Sequence, residues 1–544
     1  MPEAGTHMIC LDRGVALLPG GDRLRAAVAA EPAYAYLGSS GPDLFYWTYG
    51  AWYYKLASKI IELIEFFDEA VAPIREELKP IEDAVNEMEE TLTETVPGLY
   101  ETLQRLKAAA ETASAAVKGA LLLGVLEVYN LFCLIKPYIQ DDKPESTWWW
   151  GDLMHYRKTG ELAMNLLAGA LERNDDRFLA YAAGYISHVA ADTTGHPFVN
   201  KLVGGPYRTQ FIRHHIIENH IETWVWAKYN SGADISTSRL DQKIDLGYDL
   251  PGGFVDFVTG VIKNTYAGCA VPDHNPDVQE AYNIYKLLLK RQTSGSFTIP
   301  EPKRPSLNFP PPPEPPDISN PFSGGGGGGW DFSWDAFVDF LKNIFDAAGE
   351  LLDYLVDLAE FALKVLDSLA TYPLRWLLYL IQLLLWQLFQ TVRDGLVAAG
   401  VAFPAPGEER EDFIHITKPD DPLYPHRLVT GICGWFPDDS PLDYPSTPQD
   451  REGGIATTHV PPPATYLAAP YKNAYPDHFI EGAGEPAPPA WWGSATHLFR
   501  RFLVTGDIPN FNLDGDPAYG SLCWRVSSGK LRDGIGYTRI YVAC

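Results

Sequence analysis

Residues 184 to 200, GYISHVAADTTGHPFVN, put His188, Asp192 and His196 at intervals of four inside an otherwise apolar stretch. On an α-helix each step of four drifts by about 40°, so the three side chains share one face. Neutral imidazole and carboxylate are donors that divalent zinc accepts. A lone triplet of this kind is equally compatible with satisfied core histidines. The rest of the chain has to decide between the two readings.

Other positions supply matching donors. RHHIIENHIE holds His214 and Glu218, again one helical turn apart. WWWGDLMHYRKTGELAMNLLAGAL places His155 near the start of another helical pattern, GTHMICLDRG offers His7, and YLGSSGPDLFYW offers Asp43 after a Gly-Pro turn. His215 and His220 read as neighbours of these donors, not as ligands themselves.

Around these motifs the chain is long, 544 residues, which allows about two to four domains. Val71, Ile74, Leu78, Ile81, Val85, Met88 and Leu92 recur by threes and fours, and Val96, Leu99, Leu103 and Leu106 continue the stripe. That periodicity predicts a helical insertion over 51–142, with Pro73, Pro80 and Pro97 at helix starts or kinks. It also leaves a seam through which copies of the chain could associate. Residues 294–330 contain a proline run and Gly324 to Gly329, the composition of a linker. An apolar helical region is expected over 331–402. Its run WLLYLIQLLLWQLFQTV, 376–392, is short for a membrane span and carries Gln382, Gln387 and Gln390. A buried or oligomer-forming helix, an interfacial membrane helix and a true span are all open there. Residues 403–544, rich in Pro, Gly, Trp and Tyr and ending in GYTRIYVAC, read as a small irregular or β-containing module.

Charge and cysteine content narrow the function classes. Forty-three basic against 70 acidic residues give −27, which repels phosphate backbones and argues against a nucleic-acid binder. The same charge suits a protein holding several divalent cations. The N-terminus has no basic segment followed by a long apolar one, and the six scattered cysteines form no tight pair. Synthesis in the cytoplasm is expected, with membrane association or export by a route other than Sec left open.

Taken in order, these motifs resemble the zinc-dependent phospholipase C family, whose superfamily also contains single-strand nucleases. THMICLDRG is similar to that family's Ser/Thr-His segment, GSSGPDLFYW to its Gly-x-x-x-Pro-Asp turn, GYISHVAADTTGHPFVN to its Gly-x-x-x-His-x-x-x-Asp helix, and HHIIE to its His-x-x-x-Glu pair. The resemblance covers roughly 1–50 and 143–230. It implies a mainly α fold, an all-helical catalytic domain over 1–293 interrupted by the insertion, and a site for two to three zinc ions. In that site Asp43, His155, His188 and Asp192 would hold the first zinc. His196, His214 and Glu218 would hold the second, and His7 the third with Asp192 bridging. Secreted bacterial members complete the third zinc with an N-terminal tryptophan, whereas Met1 or Pro2 stands first here. The spacing His188-x-x-x-Asp192-x-x-x-His196 is closer to the glycosylphosphatidylinositol-specific phospholipase D branch.

The activity implied is phospholipid phosphodiester hydrolysis at a membrane surface. A zinc-activated water would attack phosphorus, Asp43 would orient or deprotonate that water, and Tyr46 and Trp47 would contact substrate. Two alternatives stand beside it. One is a single-strand nuclease using the same metals. The other is a membrane-active or self-assembling protein, toxin-like, in which the zinc domain is only a scaffold.

Overall fold

The computed structural model describes residues 4–47, 145–203, 207–269, 271–295, 402–409, 480–481, 494–508, 510–511 and 513–514, with isolated positions between 301 and 397. The expected insertion at 51–142, the linker, nearly all of the apolar region at 331–402 and the strand-like C-terminal run lie outside these residues. The chain divides into two compact units. One comprises residues 1–58, 135–295 and 400–544, and it carries all of the helices named below. Every regular element among the described residues is helical, so the fold is mainly α, as expected from the sequence.

In chain order the helices are α1 (Ala4–Ala16), α2 (Arg23–Ala30), α3 (Pro32–Ser39), a 3-10 helix (Gly41–Trp47), α4 (Trp150–Tyr156), α5 (Thr159–Arg173), α6 (Asp176–Val203) and α7 (Tyr207–Tyr229). Then come α8 (Gly252–Thr265), α9 (Val278–Thr293) and α10 (Ala495–Thr505). Among these described helices none is long and apolar enough to cross a membrane.

α6 is the axis of this unit. Every residue from Phe178 to His196 is buried, and α1, α2, α3, α5, α7 and α10 all pack against it. A helix buried on all sides must satisfy its own polar groups. Thr193 and Thr194 do so by donating to the carbonyls of Val189 (2.6 Å) and Ala190 (2.9 Å) one turn back. Small residues let neighbours approach closely. A Cβ added at Gly184 would sit 2.0 Å from the carbonyl oxygen of Ala35, so α3 lies nearly backbone to backbone on α6.

That contact aims the chain that follows α3. Gly41 takes φ +52°, and a Cβ there would fall 2.5 Å from Cγ of His188. Only glycine turns the chain left-handed against the imidazole face, and the 3-10 helix it starts delivers Asp43.

Residues far along the chain close the other side. Asn219 and Thr223 of α7 donate to the carbonyls of Ala402 (3.4 Å) and Pro404 (3.3 Å). Leu498, Phe499 and Phe502 of α10 are buried where that helix packs on α1 and α6, with Phe499 seated on Gly14.

Candidate metal centre

α6 carries His188, Asp192 and His196 on successive turns, all fully buried. The 3-10 helix brings Asp43, α4 brings His155, α1 brings His7, and α7 brings His214 and Glu218. Seven of these eight residues sort into two groups whose donor atoms lie within 4.8 Å of one another. Asp43, His155, His188 and Asp192 form the first, and His196, His214 and Glu218 the second.

In the first group His155 Nε2 lies 3.0 Å from Asp43 Oδ1, and His188 Nε2 lies 2.9 Å from Asp192 Oδ2. The cross distances are 3.8 Å for His188 to Asp43 and 3.7 Å for His155 to Asp192. In the second group Glu218 Oε1 lies 3.1 Å from His214 Nε2 and 3.8 Å from His196 Nε2. His7 belongs to neither group. Its ring stacks on His188 at 4.2 Å, and its Nε2 faces Asp192 Oδ1 at 3.3 Å. Asp192 thus turns one oxygen to the first group and the other to His7.

Most of these atoms fall outside hydrogen-bond geometry despite their closeness. Nε2 of His188 and His196, both ring nitrogens of His7, Oδ1 of Asp43 and both oxygens of Asp192 are buried without a hydrogen-bond partner. Buried polar atoms are normally satisfied, because losing water without a replacement costs about 1–3 kcal/mol each. Lone pairs of nitrogen and oxygen converging at tetrahedral-ligand spacing are what a divalent cation would satisfy, and the donor set fits zinc.

Backbone carbonyls fix the rings. His155 Nδ1 donates to Gly151 O at 2.7 Å, His188 Nδ1 to Ser39 O at 3.0 Å, and His196 Nδ1 to Leu513 O. A carbonyl can only accept, so Nδ1 carries the proton and Nε2 turns its lone pair toward the group.

Electrostatically the two groups differ. Burial would lower His155, but the negative charges of Asp514, Asp43 and Asp192 outweigh it and raise the ring to about 9. His188 is raised in the same way, Asp192 and Asp43 overriding burial. Burial would raise Asp192, yet the facing His188 and His196 hold it well below the carboxylate range. In the second group burial wins: His196 falls to about 3 and His214 well below the imidazole range. Burial and the charge of His188 together lower His7.

Of the expected substrate contacts, Tyr46 is buried. Its ring stacks on His155 at 5.1 Å and packs against Gly151. It therefore forms the wall behind the first group. Trp47 ends the 3-10 helix, and its side chain lies outside the described residues. Trp148 and Trp150 are buried core aromatics, Trp150 donating to the carbonyl of His274 at 2.8 Å.

Two contributors were not singled out by motif. Glu222 receives the N–H groups of Gly5 and Thr6 and the Thr6 hydroxyl, so it pins the first turn of α1 and hence His7. Burial raises its carboxyl to about 7, against those hydrogen bonds. A signal for it existed, since His214, Glu218 and Glu222 repeat the four-residue step of His188, Asp192 and His196. The other is the segment around Leu513 and Asp514, where the working group is a backbone carbonyl that no side-chain pattern marks.

With this geometry the comparisons agree. The family model described as zinc dependent phospholipase C matches residues 6–251, a span that contains all eight donors. This match supports the assignment of residues 6–251 to the zinc-dependent phospholipase C family. No curated protein and no solved structure matches the chain. At the level of the family, the match supports zinc-dependent hydrolysis of phospholipid phosphodiesters, and the two donor groups are ones that could hold the metal.

Proposed function

We propose that the protein hydrolyses a phosphodiester bond of membrane phospholipids, with Asp43, His155, His188 and Asp192 holding one zinc and His196, His214 and Glu218 a second. His7, with Asp192 beside it, is the further position for a third. The observation that carries this reading is the pair of buried donor groups served by one helix, in which Nε2 of His188 and His196, Oδ1 of Asp43 and both oxygens of Asp192 lack hydrogen-bond partners. Bound zinc supplies Lewis acidity to the phosphoryl oxygens and lowers the pKa of water.

The chain's own residues do the rest. Asp43 stands at the end of the Gly41 turn and at 6% exposure is the most accessible of the eight donors. Its carboxylate accepts a proton from the water whose oxygen bonds to phosphorus. The bond from phosphorus to the leaving oxygen breaks, and that oxygen takes up the proton. Tyr46 keeps His155 in place from behind. Acting on phospholipid brings the protein to a lipid surface.

Metal analysis combined with headgroup release tests this. Zinc-loaded protein should release phosphorylated headgroup or phosphatidate from defined phospholipid vesicles, and Asp43→Asn should abolish that release while retaining the fold. No release from any vesicle, together with cleavage of single-stranded DNA or RNA, would favour the nuclease reading.

A further inference from the structure

Three histidines of the centre are oriented by backbone carbonyls, and two of those carbonyls, Gly151 and Ser39, lie inside the family-matched span. The third, Leu513, is 317 residues along the chain from the His196 ring it holds. The segment that carries it is built into the core. Ile508, Phe511, Leu513 and Asp514 are buried, and Phe511 packs on Phe502 of α10 at 5.7 Å. Thr159 Oγ1 donates to Phe511 O at 2.9 Å, and Leu513 N donates to the carbonyl of His155 at 3.1 Å. Asn510 Oδ1 accepts from Glu161 N at 3.0 Å in the first turn of α5.

Charge gives the segment a second reason to be there. The first group has two carboxylates for its cation, whereas the second has Glu218 alone. Asp514 Oδ1 stands 3.9 Å from Nδ1 of His196, on the side of the ring away from the donor lone pair. A carboxylate behind a ligating imidazole raises the basicity of that ligand and offsets the uncompensated charge.

We propose that Leu513 and Asp514 complete the second metal group, Leu513 O setting the ring of His196 and Asp514 acting as its positioning carboxylate. This rests on the reading that the second group holds zinc. It makes a piece of chain from beyond the phospholipase C span a working part of that domain's centre. The substrate chemistry stays with the eight donors; the segment touches the ring of His196 directly and reaches the first group only through the charge of Asp514 on His155 and the bond from Leu513 N to the His155 carbonyl.

The test measures zinc on the full chain, by elemental analysis and chelator competition, for the wild type, Asp514→Asn and Asn510→Ala. Affinity of the first group should be unchanged in Asn510→Ala and should change far less than that of the second in Asp514→Asn, where only the charge of Asp514 on His155 is lost. Affinity for the second zinc should fall about 10- to 100-fold in Asp514→Asn, the usual effect of losing an outer partner, and less in Asn510→Ala. The cobalt-substituted protein should show a changed visible spectrum for one of its sites only. Should Asp514→Asn not fold, Asn510→Ala, remote from the ligands, decides by the same readout. Unchanged affinity for both zincs in the folded variants would overturn the proposal. So would a lowered melting temperature of zinc-stripped and zinc-loaded protein alike without any loss of zinc affinity. A wild-type protein that holds no zinc would instead overturn the reading of the centre itself.

Discussion

The two donor groups share α6 yet are built in opposite ways. The first is rich in carboxylate, sits entirely within the family-matched span, and has its imidazoles pushed toward the protonated form, His155 to about 9. The second has one carboxylate and deeply buried imidazoles kept neutral, His196 at about 3, and it borrows its ring anchor from residue 513. Burial is the same for both, since all their imidazoles are fully buried. What separates them is local charge: Asp514, Asp43 and Asp192 raise His155, whereas in the second group neighbouring positive charges add to burial in lowering His214. Proton affinity at such a site follows local charge once desolvation is common to both sides.

The contrast breaks first at Asp192, which serves the first group with one oxygen and faces His7 with the other. Asp192→Asn should remove the first zinc and lower hydrolysis by more than the ~10- to 100-fold typical of an outer partner, whereas His214→Ala should cost only the second zinc. Elemental analysis of the two variants checks both statements. A variant of Asp192 that keeps both metals would undo the grouping.

Acid should separate the groups without mutation. A histidine must be neutral to bind metal, so a raised pKa makes protons compete. Apparent zinc affinity of the first group should climb as pH rises toward about 9, where His155 loses its proton. The second should be nearly flat between pH 6 and 9, because His196 and His214 are neutral throughout. Chelator competition at a series of pH values reads the two slopes. Equal slopes would mean that the facing carboxylates do not set them apart.

A local change should then touch only one side. Gly41→Ala places a methyl against the His188 ring in a left-handed backbone, at a cost of about 1–3 kcal/mol. It should lower the melting temperature and weaken the first zinc while sparing the second.

The last effect, which touches neither donor group and shows only as a pH dependence, belongs to Glu222. Its carboxyl is raised from 4.5 to about 7 by burial, so the unfolded chain ionises first. The folded form therefore loses stability from this group as pH rises from 4.5 to about 7, and the loss is constant above that, on the order of 3 kcal/mol. Glu222→Gln should remove that slope from the melting curves of zinc-stripped protein. An unaltered slope would show that the carboxyl ionises freely in the fold.

Much of the centre was legible in the sequence because side chains at helical spacing declare themselves. His188, Asp192 and His196, and likewise His214 and Glu218, need only the 3.6-residue repeat to be placed on one face, and Asp43 is announced by Gly41-Pro42. The mainly α class followed from the same periodicities. Less legible was what depends on tertiary contact. Tyr46, expected to meet substrate, stacks on His155 because the 3-10 helix and α4 pack through Gly151. Leu513 contributes a carbonyl, which every residue has, so only the folded chain shows which one is used. α10 and residues 402–404 share a compact unit with the N-terminal helices across long intervening chain, a pairing that composition could not announce.

α6 is also a ruler. His188 and His196 are eight residues apart on a single rod, about 12 Å of axial rise, and that interval is set by the peptide repeat regardless of what is bound. Deleting or adding one residue between them would swing one donor by about 100° relative to the other, so register errors in this helix are all-or-nothing for the pair. The Gly41 turn packs on the His188 end of this ruler and Leu513 on the His196 end, so each end of the interval is held by a different part of the chain.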